Sequence, residues 1–247
     1  MHAPKTPWHV PDEEKSWMQI YERSDIIPIG KIKTIKNSFG VSFTGVLLSC
    51  VSAGISVGLN KKIREKQGFK KGPNSISVAT ILPLPDHPDK LANHLTGTAF
   101  QLPTRLDLTP EQRLQKVEKL LESAKQSTLP LLQRTAALLL NTNLAPVASF
   151  CWHNRYFPVG FTNMPGPTVA VSVEGLPVED VDFAVGGQLG VLGVNFMVLS
   201  FGNHIRFGIT AEKAVMNRVD VKELIEVICN EINVLYKSCS RSNLSTK

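Results

Sequence analysis

Gly54-Ile55-Ser56-Val57-Gly58 has the spacing of a nucleophile elbow, in which a serine stands on a tight turn after a strand so that its hydroxyl is exposed. Here the pentapeptide lies inside an uncharged, helix-like run with no strand before it, so Ser56 is not expected to act as a nucleophile. Gly186, Gly187, Gly190 and Gly193 resemble a phosphate-cradling loop, but their spacing fits neither G-x-G-x-x-G nor a Walker A loop, and no lysine follows at the right place. They read as turn and strand-end glycines. The six histidines, His2, His9, His87, His94, His153 and His204, include no pair at metal-ligand spacing, and His9 with Glu13 is a weak signal. His94, next to Asn93 at the start of a strand, best suits an internal surface and reads as a hydrogen-bonded structural histidine. Asn163-Met164-Pro165-Gly166-Pro167 differs from these. Two prolines around a glycine make a rigid turn poor in donors directly after a strand, where the backbone can approach a ligand or a neighbouring subdomain, or where the sheet simply turns a corner.

The elements that must position these residues follow from periodicity. Phe39 to Leu59 is free of charge and flanked by lysines, long enough to cross a membrane. Nine Gly, Ser and Thr residues within it weaken insertion, and a buried helix whose basic end complements its dipole is the expected form. Ser75 to Leu82 and Leu95 to Leu102 read as strands. Thr109-Pro110-Glu111-Gln112 reads as a capped helix start, with a stripe from Leu114 to Ala124. Leu129 to Leu140 and Ala145 to Tyr156 read as apolar helices. After Tyr156 the period changes to short β-branched runs, Val159 to Thr162, Thr168 to Val173, Val181 to Val185, Val191 to Ser200 and His204 to Thr210, with a Gly202-Asn203 hairpin turn. Asp220 opens a final helix, and Ser238 to Lys247 reads as a frayed tail. Strands follow one another without intervening helices, so the expected fold is a layered α/β (α+β) arrangement, a mixed sheet with flanking helices rather than a doubly wound parallel sheet.

The chain has 247 residues, 43% hydrophobic and 19% charged, enough for a large core and against disorder. Four cysteines without C-x-x-C spacing suit a reducing compartment, and residues 1–5 lead into no apolar signal region, so an intracellular, non-secreted place is expected. The net charge of +6 is uneven: residues 1–30 sum to −2, residues 31–71 to +8 and residues 72–247 to 0. That confinement argues against general nucleic-acid binding. The cluster Lys61, Lys62, Arg64 and Lys66 is instead a candidate for phosphates or an anionic lipid surface.

Several ordered segments resemble one family. Phe161-Thr162-Asn163-Met164-Pro165-Gly166-Pro167 is similar to the S-N-V-P-G-P signature of the C-terminal domain of the wax ester synthase/diacylglycerol acyltransferase family. Residues 29–42, then 46–55, resemble that family's basic helix and its N-D-V-L-L-A-A-L-A-G-A helix. Asn93-His94-Leu95 with Leu102-Pro103-Thr104, and Ser200-Phe201-Gly202-Asn203 with Phe207-Gly208, resemble its G-N, L-P, S-Y-x-G and F-G elements. The resemblance covers residues 25–236.

It implies the second half of a coenzyme A-dependent (chloramphenicol acetyltransferase-like) acyltransferase fold, two similar α/β halves with a tunnel between them, and fatty acyl transfer from acyl-CoA to a long-chain alcohol or diacylglycerol. No cofactor is implied beyond acyl-CoA as substrate. The family's general base lies in H-H-x-x-x-D-G of the first half, and this chain contains no such motif. Thr44-Gly45 replaces Asn-Asp, Ala92 replaces Gly, Phe201 replaces Tyr and Glu212 stands where Asp is usual; the change at 45 removes a carboxylate that could organise a site. The implied domain spans residues 25–237, between an extension (1–24) and a flexible tail (238–247). Asn93, His94, Asn163, Pro165, Gly166 and Pro167 are the implied tunnel or interface residues, with no catalytic role assigned. The implied partners are an N-terminal catalytic half or a full-length paralogue and a membrane or lipid-droplet surface, with a peripheral place at the endoplasmic reticulum, plasma membrane or droplet. The alternatives are a noncatalytic relative that binds acyl-CoA or lipid, and an unrelated protein spanning a membrane at 39–59.

Overall fold

Gly40, with a left-handed φ of +63°, stops α1 (Ile29–Phe39), and Ser42 starts α2 (Phe43–Glu65) by accepting the Gly45 backbone N–H at 3.0 Å. The uncharged run therefore belongs to two helices. The structure is a computed structural model that describes residues 6–10, 12–65, 72–83, 89–90, 94–126, 157–186 and 193–242. Its strands are β1 (Gln19–Arg23), β2 (Ile27–Pro28), β3 (Ser75–Pro83), β4 (Leu95–Pro103), β5 (Val159–Met164), β6 (Ser172–Val173), β7 (Leu176–Pro177), β8 (Val194–Phe201) and β9 (His204–Glu212). Two further helices are α3 (Pro110–Gln126) and α4 (Arg218–Ser242).

The main sheet runs β1-β9-β8-β5-β3-β4, with β2 also on β9. Its centre is parallel, β3 to β5 to β8, and its flanks are antiparallel, so it is the mixed sheet expected. Alternation along the strands sends Val78, Phe161, Phe196, Val198, Phe207 and Ile209 to one face. There they share a single core with Leu47, Val51 and Ile55 of α2, Leu114 of α3 and Leu224 and Ile228 of α4. Each such side chain, fully buried, is worth about 1.5–3 kcal/mol. The helices therefore cover that face. α2 is long and apolar enough to cross a membrane, but 78% of its apolar window is buried inside the protein, as the buried-helix expectation had it.

The capping box at α3 forms as expected: Thr109 N donates to Gln112 Oε1 at 3.1 Å and Gln112 N to Thr109 Oγ1 at 3.2 Å. The start of α4 needs correction. Asn217 is its cap, since Asp220 N donates to Asn217 Oδ1 at 2.9 Å and Asn217 N to Asp220 Oδ2 at 3.1 Å. Asp220 is the returning partner, three residues in. The same helix continues through residues 238–242, where Ser238 Oγ binds Glu111 at 2.8 Å and Cys239 is buried, so this part of the expected tail is anchored.

Residues 1–24 were expected to stand outside the domain. Those described do not: β1 is an edge strand on β9, and Trp8 is fully buried. β1 is short, partly exposed and mostly polar, which hides a strand from a hydrophobic pattern. Two expected strands are absent. Of Thr168 to Val173 only Ser172–Val173 is extended, paired with Leu176–Pro177 in a separate hairpin, and Val181 to Val185 forms no strand. This strap lies against the second face of the sheet, where side chains satisfy its backbone: Thr210 Oγ1 donates to Val185 O at 2.7 Å, and Val185 N points at Met197 Sδ at 3.0 Å. No strand edge is free for it there, because β8 and β9 pair with each other. The helices expected at 129–140 and 145–156 lie outside the described residues.

Candidate functional site

β3, β5 and β8 are parallel, so their carboxyl ends meet at one end of the sheet, the place where open sheets of this kind gather ligands and functional loops. Three of the segments singled out in the sequence converge there. β5 ends at Asn163 and Met164, paired with Val198 and Leu199. The chain then turns through Pro165, Gly166 and Pro167 onto the end of β8: Gly166 N donates to Ser200 Oγ at 3.1 Å, and Gly202 N to Pro167 O at 2.9 Å. A Cβ built at Gly166 would overlap the Ser200 carbonyl oxygen, so the glycine is required by a close backbone approach. Ile29 N donates to Asn203 O at 2.9 Å and brings the start of α1 to the same corner. His94, half-buried, precedes Leu95, whose partner is Pro83 at the end of β3. That sets it two strand spacings, roughly 10 Å, from the end of β5. Asn93 lies outside the described residues. Asn163 and Gly166 are half-buried, while Pro165 and Pro167 are exposed.

The basic cluster lies elsewhere. α4 follows the end of β9 opposite its turn, and its first turn meets the last turn of α2. There Lys61 Nζ binds Asp220 at 3.0 Å and also Glu223, while Lys62 Nζ binds Asp220 at 2.8 Å and Glu65 at 3.0 Å. Burial by itself would raise the Asp220 carboxyl, but hydrogen bonds from Lys62 and Lys61 outweigh it and hold the group below the usual carboxylate range. Hydrogen bonds that it donates to the Glu223 and Asp220 carboxylates hold the Lys61 ammonium well above its ordinary value. Lys61 and Lys62 thus tie α2 to α4. Arg64 is exposed, and Lys66 lies outside the described residues.

This staple has a pH signature. A carboxyl depressed on folding stabilises fully above its unfolded pKa of about 4 and loses that contribution as pH falls through the lower folded value. D220A is expected to cost about 2–3 kcal/mol at pH 7, through the lost cap and ion pairs, and the difference is expected to narrow as pH falls through the folded value. Thermal melts of both proteins across pH 2–7 check this; parallel curves would refute it.

Ser56 is no nucleophile. It is fully buried in α2, donates to Ser52 O at 2.7 Å and receives Arg113 Nη1 at 3.1 Å. Its flanking glycines let α4 approach: a Cβ at Gly54 would meet Ile228 at 3.1 Å and one at Gly58 would meet Leu224 at 2.7 Å. Gly45 has an unforeseen neighbour. A Cβ there would overlap Glu118 Oε2, which accepts Ser42 Oγ at 2.7 Å over the amino end of α2. A carboxyl from α3 therefore stands where the sequence had lost one from α2.

His204 Nε2 lies 3.2 Å from Asp180 Oδ1, whose other oxygen receives Arg206 Nε at 2.8 Å. This is a histidine–carboxylate pair, and among the described residues no hydrogen bond joins the imidazole to a serine or cysteine that it could activate. His9 Nδ1 accepts the Thr6 backbone N–H at 3.0 Å. No group of three His, Cys, Asp or Glu among the described residues could hold a metal ion. A groove of about 530 Å³ between β1–β2, α1 and α4 is lined by Arg23, Asp25, Lys31, Lys222, Glu226 and Cys229. Burial, with Asp25 and Glu226 nearby, pushes the Cys229 thiol up. Nothing in the sequence pattern singled out that groove.

In fold, the chain is similar to several solved structures. The wax ester synthase/diacylglycerol acyltransferase from Marinobacter aquaeolei VT8 matches with a TM-score of 0.64 and 17% identity over 96% of this chain and 53% of that one. The epimerization domain from the third module of tyrocidine synthetase B matches with a TM-score of 0.61 and 9% identity over 97% and 51%. The EpoB cyclization-docking bidomain from Sorangium cellulosum matches with 0.56 and 18% over 89% and 42%. The chain spans about half the length of these proteins or less. No curated protein matches it in sequence. The mixed sheet, covered on one face by the described helices, and these likenesses give the chain the fold of about half of each of those proteins. Residues 91–235 match the WS/DGAT C-terminal domain, and the chain belongs to that family.

Proposed function

We propose that this chain is the carboxyl-terminal part of an O-acyltransferase that moves a fatty acyl group from acyl-CoA to a long-chain alcohol or diacylglycerol, with the histidine of H-H-x-x-x-D-G supplied from outside these residues. The observation that carries the reading is the corner where Gly166 sits on Ser200, because it joins the N-M-P-G-P and S-F-G-N segments within the matched family domain. In this reading the corner, with His94 beside it, walls one side of the substrate path, and a base on the facing half takes the acceptor's proton. General-base help of that kind contributes a factor of roughly 100 to 10,000, and the described residues pair no base with a nucleophile. A peripheral place at a membrane or lipid droplet accords with such substrates. The second reading, a noncatalytic relative that binds acyl-CoA or lipid, is favoured by that missing base.

The test is transfer from radiolabelled long-chain acyl-CoA to hexadecanol or diacylglycerol. The purified chain alone is expected to give no wax ester or triacylglycerol above a protein-free control, and addition of a histidine-bearing half is expected to restore product. Product from the chain alone would overturn the incomplete-site reading and direct attention to His204 and Asp180. Acyl-CoA binding without product in either mixture would favour the second reading.

A further inference from the structure

Trp17 holds a left-handed φ of +58°, a conformation in which a bulky side chain is a rare outlier. It is 63% exposed, and Met18 beside it is 57% exposed. The backbone that carries them is fixed from below. The buried Glu212 carboxylate accepts Ser16 N at 2.8 Å, Ser16 Oγ, and Ala214 N at 3.3 Å, while Lys213 N donates to Met18 O at 2.9 Å. One carboxylate therefore ties residue 16 to the turn after β9 and leaves the next two side chains facing out. Lys15 Nζ lies 5.7 Å from the centre of the Trp17 ring, so a cation and an indole are presented together. The fold gains no buried area from a tryptophan held in this strained backbone, which points to a contact outside it.

The segment lies at the amino end of the parallel strands. Gln19 pairs with Glu212, and the neighbouring Ala211 pairs with Val194, which in turn pairs with Val159 at the start of β5. The Gly166 corner is at the other end of those strands, roughly 20 Å away. The Trp17 end also holds the first turn of α4, where Arg218 is exposed and Val219 is 70% exposed, and the last turn of α2, where Arg64 is exposed. Lys213 is exposed beside Met18. The exposed Glu13 and Glu14 precede Trp17, so charge supplies part of an attraction to an anionic surface and apolar insertion supplies the rest.

We infer that this end of the molecule rests on an anionic phospholipid surface, with Trp17 and Met18 entering the boundary between headgroups and acyl chains and Arg64, Lys213 and Arg218 meeting lipid phosphates. The chemistry selects that occupant. An indole has an apolar body and a polar N–H, which suits the boundary, and each neighbouring cation adds attraction to a charged surface. The inference rests on the proposed function for a peripheral place at a membrane, and it adds the residues that make the contact and an orientation in which the Gly166 corner opens away from the lipid.

The test is co-sedimentation of the full chain with vesicles of equal parts phosphatidylcholine and phosphatidylserine. Asparagine tolerates a left-handed φ, so W17N/M18S is expected to keep the natural melting temperature. Its partition coefficient is expected to fall by roughly 30-fold, the loss of two inserted side chains. R64Q/K213Q is expected to lose roughly 10-fold on these vesicles and nothing on phosphatidylcholine alone. Phosphatidylcholine brominated on its acyl chains is expected to quench the tryptophan emission of the natural chain, and to quench W17F much less although W17F still partitions. No partition of the natural chain, or partition indifferent to W17N/M18S, overturns the inference. So does a W17N/M18S chain that still sediments but no longer binds the histidine-bearing half, since the segment would then be a polypeptide contact. Vesicle binding through Trp17 with no acyl transfer in the reconstituted mixture defeats the proposed function and leaves the anchor. Acyl transfer by a mixture that does not sediment defeats the anchor and leaves the function.

Discussion

Replacing Arg113 with alanine is expected to cost about 3–5 kcal/mol of folding stability, the usual cost of removing one member of a buried ion pair. Arg113 is 5% exposed and joins three helices: Nε reaches Glu231 of α4 at 3.2 Å, Nη1 reaches Ser56 of α2 at 3.1 Å, and further donors reach the carbonyls of Arg105 and Leu108 just before α3. Without it the Glu231 carboxyl is left buried and uncompensated. For a chain of this size the melting temperature should fall by on the order of 10 °C. Burial already raises Glu231 above the ordinary carboxylate range, against the lowering pull of Arg113. A carboxyl raised on folding gives its most favourable contribution below the unfolded pKa of about 4.3, and loses it as pH rises through the folded value. In R113A that loss should grow, so the variant should be most nearly natural in stability at acid pH. The pair R113M/E231L should recover most of the deficit, because both charges leave together. Thermal or urea unfolding of the three proteins at pH 4 and pH 7 decides this, and an R113A deficit below about 1 kcal/mol at pH 7 would refute it.

The second large effect is expected at Gly166. Alanine there would drive a methyl group into the Ser200 carbonyl oxygen, which belongs to a paired strand and cannot rotate aside. Either β8 shifts or the loop lifts and breaks the Gly166–Ser200 and Gly202–Pro167 bonds. The expected cost is about 2–4 kcal/mol. Ser200→Ala, which removes one hydrogen bond and adds no bulk, should cost only about 1 kcal/mol. Urea midpoints measure both, and equal costs would show that the hydrogen bond rather than the close approach holds the corner. If the corner walls the substrate path, G166A should also lower acyl transfer in the reconstituted enzyme by more than S200A at a temperature where both are folded.

Residue types and local spacing carried a good part of this protein. The Thr109–Gln112 cap, the alternation of β3, β8 and β9 and the Gly202-Asn203 turn depend on neighbours within a few positions, and so they could be read directly from the chain. The N-M-P-G-P run was legible as a rigid turn and as a family mark for the same reason. Tertiary structure decided what depends on distant partners. It showed that Gly166 is a glycine because Ser200, thirty-four residues on, passes beneath it. It paired Lys61 and Lys62 with Asp220 and Lys61 with Glu223, since a pattern of like charges does not reveal which carboxylates a later helix will bring. It set the Glu118 carboxyl over the place vacated at Gly45, and it made β1 a strand although its sequence is mostly polar, because pairing with β9 supplies the order that burial does not. Val181 to Val185 shows the converse. Its β-branched pattern suited a strand, but β8 and β9 had already paired, and a segment without a free edge can only lie across the sheet.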